Sequence, residues 1–362
     1  MTEPLPETGA EFEHWIKQQL VNLSFASLSN EQINHAFLST LTGDAGFRRY
    51  FRVNFPNSPI TLIAAACPAT TVNTTLFHEL SESLNGSGVS APQVIAIKEG
   101  KGWLLLEDFG DDLLLAALSE DALNAQMLYA EAAMTLVSLQ LNHDYDLDIE
   151  SYSPHKLQAE MALFETWFVE QQLGLSFNGE QKQILKQSFD TLIHNALVQP
   201  QVLVHRDYHS RNLIVRDGLP LGVIDFQDAV WGPITYDLVS LFKDCYVRWQ
   251  PEQIKRWALN YRELATDAGL LADVDETTFM RWFDLMGLQR HIKVLGIFAR
   301  LNLRDAKPNY LNDLTRVFAY TLDAAEHYSE LASFADLLRD VVLPAVKLQP
   351  WYNPDSAKPW QL

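Results

Sequence analysis

The 362-residue sequence predicts an α+β fold in two lobes: a small sheet-rich N-lobe, residues 1–109, and a larger, mainly helical C-lobe, residues 110–362. Three observations carry this prediction. Short apolar segments of strand length, punctuated by turn residues, fall before residue 107. Apolar residues at helical spacing dominate after residue 112. The chain is also long enough for two separate cores.

The elements follow in order. Glu11 to Val21 has a helical pattern in Phe12, Trp15, Ile16 and Leu20. Leu38–Leu41, Arg48–Phe55 and Ile60–Ala65 read as strands, separated by Gly43-Asp44-Ala45-Gly46 and Pro56-Asn57-Ser58-Pro59. A short helix is expected from Thr74 to Leu84, then strands at Gln93–Lys98 and Trp103–Leu106. Glu107-Asp108-Phe109-Gly110 reads as a connection, after which helices are expected at Ala122–Asn142, His155–Leu173 and Gly179–Leu197. Val202 to Phe226 breaks the helical run as strand, loop, strand, turn, strand, and helices resume near Tyr236.

Composition narrows the functional class. Apolar residues make up 48% of the chain, as in a globular protein, and no apolar run reaches the roughly 20 residues that cross a bilayer. The first residues, acidic and proline-containing, do not read as a secretory signal, so the cytoplasm is the expected compartment. Cys67 and Cys245 fit no metal-ligand spacing and read as free thiols. A formal charge of −19 argues against a nucleic-acid surface, though not against a nucleotide pocket governed by a metal ion and a few cations.

The chemistry concentrates in Val204-His205-Arg206-Asp207-Tyr208-His209-Ser210-Arg211-Asn212 and in Val223-Ile224-Asp225-Phe226. Asn212 lies five positions after Asp207, and Asp225 eighteen after it. A strand–turn–strand through Arg216-Asp217-Gly218 is expected to bring Asn212 and Asp225 to one point, with Asp207 beside it. Phosphoryl transfer needs such a set. Mg²⁺ takes hard oxygen ligands and keeps several waters, so one carboxylate (Asp225) and one amide oxygen (Asn212) suffice beside ATP phosphates. A carboxylate off the metal, here Asp207, can orient an attacking hydroxyl and accept its proton. The plain alternative is a hairpin whose polar residues cap turns. His205 and His209 read as fixing loop geometry.

The pattern His205-x-Asp207-x-His209-x-x-Asn212 with Ile224-Asp225-Phe226 resembles the aminoglycoside phosphotransferase and choline kinase-like superfamily, relatives of the protein kinases. The resemblance implies a protein kinase-like fold, Asp207 as catalytic base and Asn212 and Asp225 as metal ligands. It implies adenine binding by backbone groups near Glu107 to Phe109, and support of the catalytic loop by Asp237. Arg206 stands where many small-molecule members have glycine.

The sequence departs from that superfamily in the strand Thr61–Pro68, which lacks the expected phosphate-binding lysine. Arg48 or Arg49 is a candidate replacement, with Glu79 on the following helix as its partner. Alternation along the strand does not choose between the two arginines, and a surface role for both stays open. Gly43 and Gly46 could let backbone amides approach phosphates, without a full glycine-rich loop.

A basic stripe, Arg290, Lys293, Arg300 and Arg304 at helical spacing, suits an anionic acceptor or ATP phosphates; pairing with neighbouring carboxylates is the alternative. Asp44–Arg52, Gln289–Arg300, Arg304-Asp305 and Tyr310-Leu311 resemble the anomeric N-acetylmuramate/N-acetylglucosamine kinases of bacterial cell-wall recycling. That resemblance implies an amino sugar substrate, ATP and Mg²⁺ and a sugar 1-phosphate product; charge and composition, as above, lead to the expectation of no nucleic-acid or membrane partner. Another small alcohol, such as an aminoglycoside or choline, and an inactive nucleotide-binding regulator are the competing readings.

Overall fold

The computed structural model describes residues 9–22, 28–41, 48–68, 73–119, 122–144 and 147–360. Two compact units divide the chain. The first comprises Met1–Asp111, Asp144–Asp148 and Arg216–Gln227; the second comprises Asp112–His143, Ile149–Val215 and Asp228–Leu362.

The first unit is built on a five-stranded antiparallel sheet. Its strands are β1 (Phe37–Leu41), β2 (Arg49–Asn54), β3 (Thr61–Ala66), β4 (Val94–Lys98) and β5 (Trp103–Glu107), in the spatial order β1-β2-β3-β5-β4. One face is covered by the helix Ala10–Asn22, whose Phe12, Trp15, Ile16 and Leu20 are buried at the spacing of one helical stripe. They pack with Phe51, Val53, Leu62, Ala64, Trp103 and Leu105, alternate residues of three strands. Phe12 meets Trp103 edge-on, with ring centroids 5.0 Å apart. The helix Thr74–Gly86 starts at Asn73, whose side chain accepts from the Leu76 amide at 3.0 Å. The segment 43–46, in which phosphate-binding glycines were expected, lies outside the described residues.

The second unit is mainly helical, around the 28-residue helix Glu276–Leu303. Asp275 caps its first turn by accepting from the Thr278 amide at 3.0 Å. Phe164, Phe168, Leu285, Leu288, Ile292 and Leu295 are among the residues of a large shared core. The expected helix over His155–Leu173 is present in two forms, α-helical at Pro154–Leu163 and π-helical at Phe164–Gln172. At that junction Gly296 of the long helix touches backbone: a Cβ there would lie 2.4 Å from the Leu163 carbonyl carbon, so no larger residue fits unless the helices part. Strands β6 (Gln201–Val204) and β9 (Val230–Pro233) pair antiparallel beneath the loop that follows β6. Between them in sequence come β7 (Leu213–Arg216) and β8 (Leu219–Val223), joined by a turn in which Gly218 takes φ 66°. This is the strand–turn–strand expected from the sequence.

Cys67 and Cys245 are both free and buried. No helix among the described residues is long and apolar enough to cross a membrane.

Candidate active site

The loop between β6 and β7 carries Asp207 and Asn212, both in the second unit. Its entry is held by Asp237, at the start of the helix Thr235–Phe242 and fully buried. The two Asp237 carboxylate oxygens accept from the backbone amides of His205 at 2.6 Å and Arg206 at 2.9 Å. Arg206 takes φ 75°, a left-handed conformation that glycine enters freely and arginine only at a cost of about 1–2 kcal/mol. Asp237 offsets that cost by bonding both sides of the bend. The support expected of Asp237 is therefore visible in atoms.

The rest of the loop is tied in the same manner. His209 donates its amide to the Asp207 carbonyl and Asn212 its amide to the His209 carbonyl, each at 2.9 Å. Asn212 Nδ2 donates to the Asp207 carbonyl at 3.0 Å. Buried Asp244 accepts from the Ser210 amide at 3.0 Å and from the Ser210 hydroxyl. The Tyr208 hydroxyl reaches the Ala132 carbonyl at 2.9 Å. His209 rests its ring edge-on against Tyr246, with centroids 5.5 Å apart, and burial lowers its pKa, as suits a ring that fixes loop geometry.

Burial by itself would push the Asp207 carboxyl up. Lys293, His209, Arg290 and Arg206 outweigh it and hold the group at about 2. Asp207 is thus an anion throughout the physiological range. Burial also raises Asp237, to about 6, with His205 and the two backbone donors opposing the rise.

The basic stripe divides once its contacts are known. Lys293 Nζ sits 3.2 Å from Glu160 and donates to the Tyr236 hydroxyl at 3.0 Å. Arg304 pairs with its neighbour Asp305 at 2.8 Å. Arg300 is half-buried, and its Nε has no hydrogen-bond partner among the described residues. Arg290 is buried and bonds the Cys245 sulfur at 3.2 Å, with Nε unpartnered and no carboxylate in salt-bridge range among the described residues. Glu160, Tyr236 and Asp244 were not singled out as site residues from the sequence. Nothing local to Glu160, far from the loop in sequence, marks it; only the folded chain brings it to Lys293.

The first unit carries Asp225, Arg48, Arg49, Glu79, Glu107 and Phe109. Asp225 follows β8 at φ 65°, exposed, with its Oδ1 accepting from Gln227 Nε2 at 2.8 Å and lying 3.5 Å from Arg48 Nη1. Its neighbour Phe226 is buried against Phe77, with centroids 4.8 Å apart. The register resolves the arginine ambiguity. Arg49 shares the Phe51 face, its guanidinium 5.2 Å from that ring, while Arg48 reaches Asp225. Glu79 is exposed and forms no ion pair among the described residues, so the expected bond from Arg48 or Arg49 to Glu79 is not formed. Arg52, on the opposite face from Phe51, binds Asp108 at 2.6 Å and Asp111 at 2.6 Å. After β5, Phe109 lies under the Arg216 guanidinium, 4.1 Å from its centroid, and Arg216 also approaches Glu107 at 3.7 Å. Gly222 makes room for that ring: a Cβ would fall 2.4 Å from Phe109 Cδ2.

Asn212 in the second unit and Asp225 in the first each carry a donor of the chemistry that Mg²⁺ takes. No group of three or more His, Cys, Asp or Glu suited to a metal occurs among the described residues. Asn212 spends Nδ2 on the loop, leaving Oδ1 without a donor among the described residues, and Asp225 keeps Oδ2 likewise. Each of these oxygens, taken by itself, is of the hard kind that Mg²⁺ prefers.

A helical protein with a small antiparallel sheet and an Asp-centred loop of this kind has the fold of the kinase-like phosphotransferases, and the chain belongs to the phosphotransferase enzyme family, which it matches over residues 38–272. It is 38% identical over 327 residues to a Pseudomonas putida protein named N-acetylmuramate/N-acetylglucosamine kinase, covering 90% of this chain and 94% of that one. A Neisseria meningitidis protein of the same name is 37% identical over 307 residues, covering 84% and 90%. Among solved structures, a Plasmodium vivax ethanolamine kinase superposes with TM-score 0.61 at 12% identity, over 94% of this chain and 93% of that one. A choline kinase from Streptococcus pneumoniae gives 0.57 at 15%, over 90% and 100%.

Proposed function

We propose that the protein transfers the γ-phosphoryl group of ATP to the anomeric hydroxyl of N-acetylmuramate or N-acetylglucosamine, giving the sugar 1-phosphate in the cytoplasm. The observation that carries the reading is the near full-length likeness, at 38% identity, to a kinase named for these two sugars. Residues 1–109 are assigned to the nucleotide and residues 110–362 to catalysis and the sugar.

Asp207 orients the C1 hydroxyl. Asp207 is held as an anion by the cations around it, so it can accept a hydrogen bond from that hydroxyl and then its proton. The anomeric hydroxyl suits it, because the ring oxygen makes that hydroxyl more acidic than an ordinary alcohol. Asn212 and Asp225 are the proposed Mg²⁺ ligands; the ion, when bound, neutralises charge on the phosphates. Arg48 is the proposed substitute for the absent strand lysine, and backbone groups at Glu107 to Phe109 the adenine contact. Arg290, a buried cation without a carboxylate in salt-bridge range among the described residues, is the stripe member best suited to the lactyl carboxylate of N-acetylmuramate.

An ATP-coupled assay over N-acetylmuramate, N-acetylglucosamine, glucose, choline and an aminoglycoside tests the reading. Turnover is expected with the two N-acetylated sugars; turnover confined to an amine would replace it.

A further inference from the structure

Glu160, near the end of the helix Pro154–Leu163, has no part in the reading so far. Its side chain is 14% exposed and lies 3.2 Å from Lys293 Nζ, and it also takes hydrogen bonds from Arg206 Nη2 and the Tyr152 hydroxyl. One carboxylate thus serves two cations, Arg206 in the catalytic loop and Lys293 on the long helix. The Arg206 guanidinium stands 5.7 Å over the Tyr152 ring, and Lys293 bonds the Tyr236 hydroxyl at 3.0 Å. Removing one partner of such a buried group strands the others.

We propose that Glu160 is a positioning residue for phosphoryl transfer: it keeps Lys293 charged and Arg206 in place, and so sets the charge and backbone of the loop that presents Asp207. The inference rests on Asp207 being the residue that orients the acceptor. The groups acting on Lys293 are Glu160 and Tyr236, which it contacts, and Arg206 and Asp207 at longer range. Burial favours the neutral amine, and Glu160 is the only carboxylate within salt-bridge distance among the described residues to oppose it. Without it, only Tyr236 and the more distant Asp207 oppose burial, so the lysine gives up its proton more readily, whereas an arginine in its place keeps its charge.

The test uses the full chain as wild type, Glu160→Gln, Glu160→Gln/Lys293→Arg, Lys293→Met and Lys293→Arg, with sugar phosphorylation followed from about pH 6.5 to about pH 9.5. Wild-type kcat is expected to lack an ionisation of Lys293 in that window. Glu160→Gln should lose about tenfold or more across it, with KM for ATP unchanged, and the double variant should regain the wild-type profile. A Glu160→Gln profile parallel to wild type, or a limb that persists in the double variant, reduces Glu160 to structural support and overturns the proposal. Should Glu160→Gln fold poorly, Lys293→Met must fall about tenfold below Lys293→Arg in kcat; equal activity overturns it. Wild-type protein inactive on every sugar would instead sink the functional reading. NMR of ¹³C-lysine-labelled protein then still decides: Lys293 must titrate within the window in Glu160→Gln and not in wild type, and identical titrations reject the proposal.

Discussion

The loop of residues 205–212 is tied at several points: Asp237 accepts from the amides of the His205-Arg206 bend, Asp244 from Ser210, and Asn212 bonds back to the Asp207 carbonyl. The segment around Asp225 is held differently. The buried Phe226 packs on Phe77 there, while the exposed Asp225 side chain accepts from Gln227 and lies 3.5 Å from Arg48. Both segments use a non-glycine residue at positive φ, Arg206 and Asp225, but the first bend is hydrogen-bonded from a core carboxylate and the second ends at the surface. The difference fits the two tasks proposed. A group that aligns an attacking hydroxyl gains from a preorganised position, whereas a metal ligand adjusts to a hydrated ion that arrives with its nucleotide.

Asp207→Asn attacks the rigid side and should have the largest effect. It should lower kcat by about a thousandfold while moving the thermal midpoint little, because the loop's backbone bonds remain. A loss below tenfold would remove Asp207 from its role. Asp237→Asn probes the support beneath it. A folded-state pKa raised to about 6 from 3.8 means that ionised Asp237 weakens the fold. Its favourable contribution is complete below about pH 4 and is lost as pH rises through about 6, a total of about 3 kcal/mol. Denaturant titrations at a series of pH values should show wild type losing about that much relative to Asp237→Asn over the window; parallel curves would contradict the buried, raised carboxyl.

On the looser side, Arg48→Ala should raise KM for ATP about tenfold, as loss of one charged contact does, and Arg49→Ala less than about twofold. Equal effects would mean that the face assigned to Arg48 carries no phosphate contact. Arg290→Met should lower kcat/KM for N-acetylmuramate by about tenfold relative to N-acetylglucosamine, which has no carboxylate. An equal loss on both sugars would move the acceptor's anion elsewhere.

The segments that sequence disclosed best are those whose chemistry is local. Strand alternation and helical stripes placed all five sheet strands within a residue or two, and Asp207, Asn212 and Asp225 stood out because their spacing is set within one short stretch of chain. The face of Arg48 was not legible, since alternation allowed either register and only the position of Asp225 distinguishes them. The partner of Lys293 was not legible either, because Glu160 lies over a hundred residues away and its helix carries no motif. The stripe itself was visible, but helical spacing does not tell Lys293, paired within the core, from Arg290, which has no carboxylate in salt-bridge range among the described residues.

Phosphorus NMR of the product formed from ATP and each N-acetylated sugar tests the central claim most directly. A sugar phosphate whose signal couples to the anomeric proton, absent with Asp207→Asn, is the predicted result. A phosphate on C6, or ADP formed with no sugar phosphate at all, would contradict it.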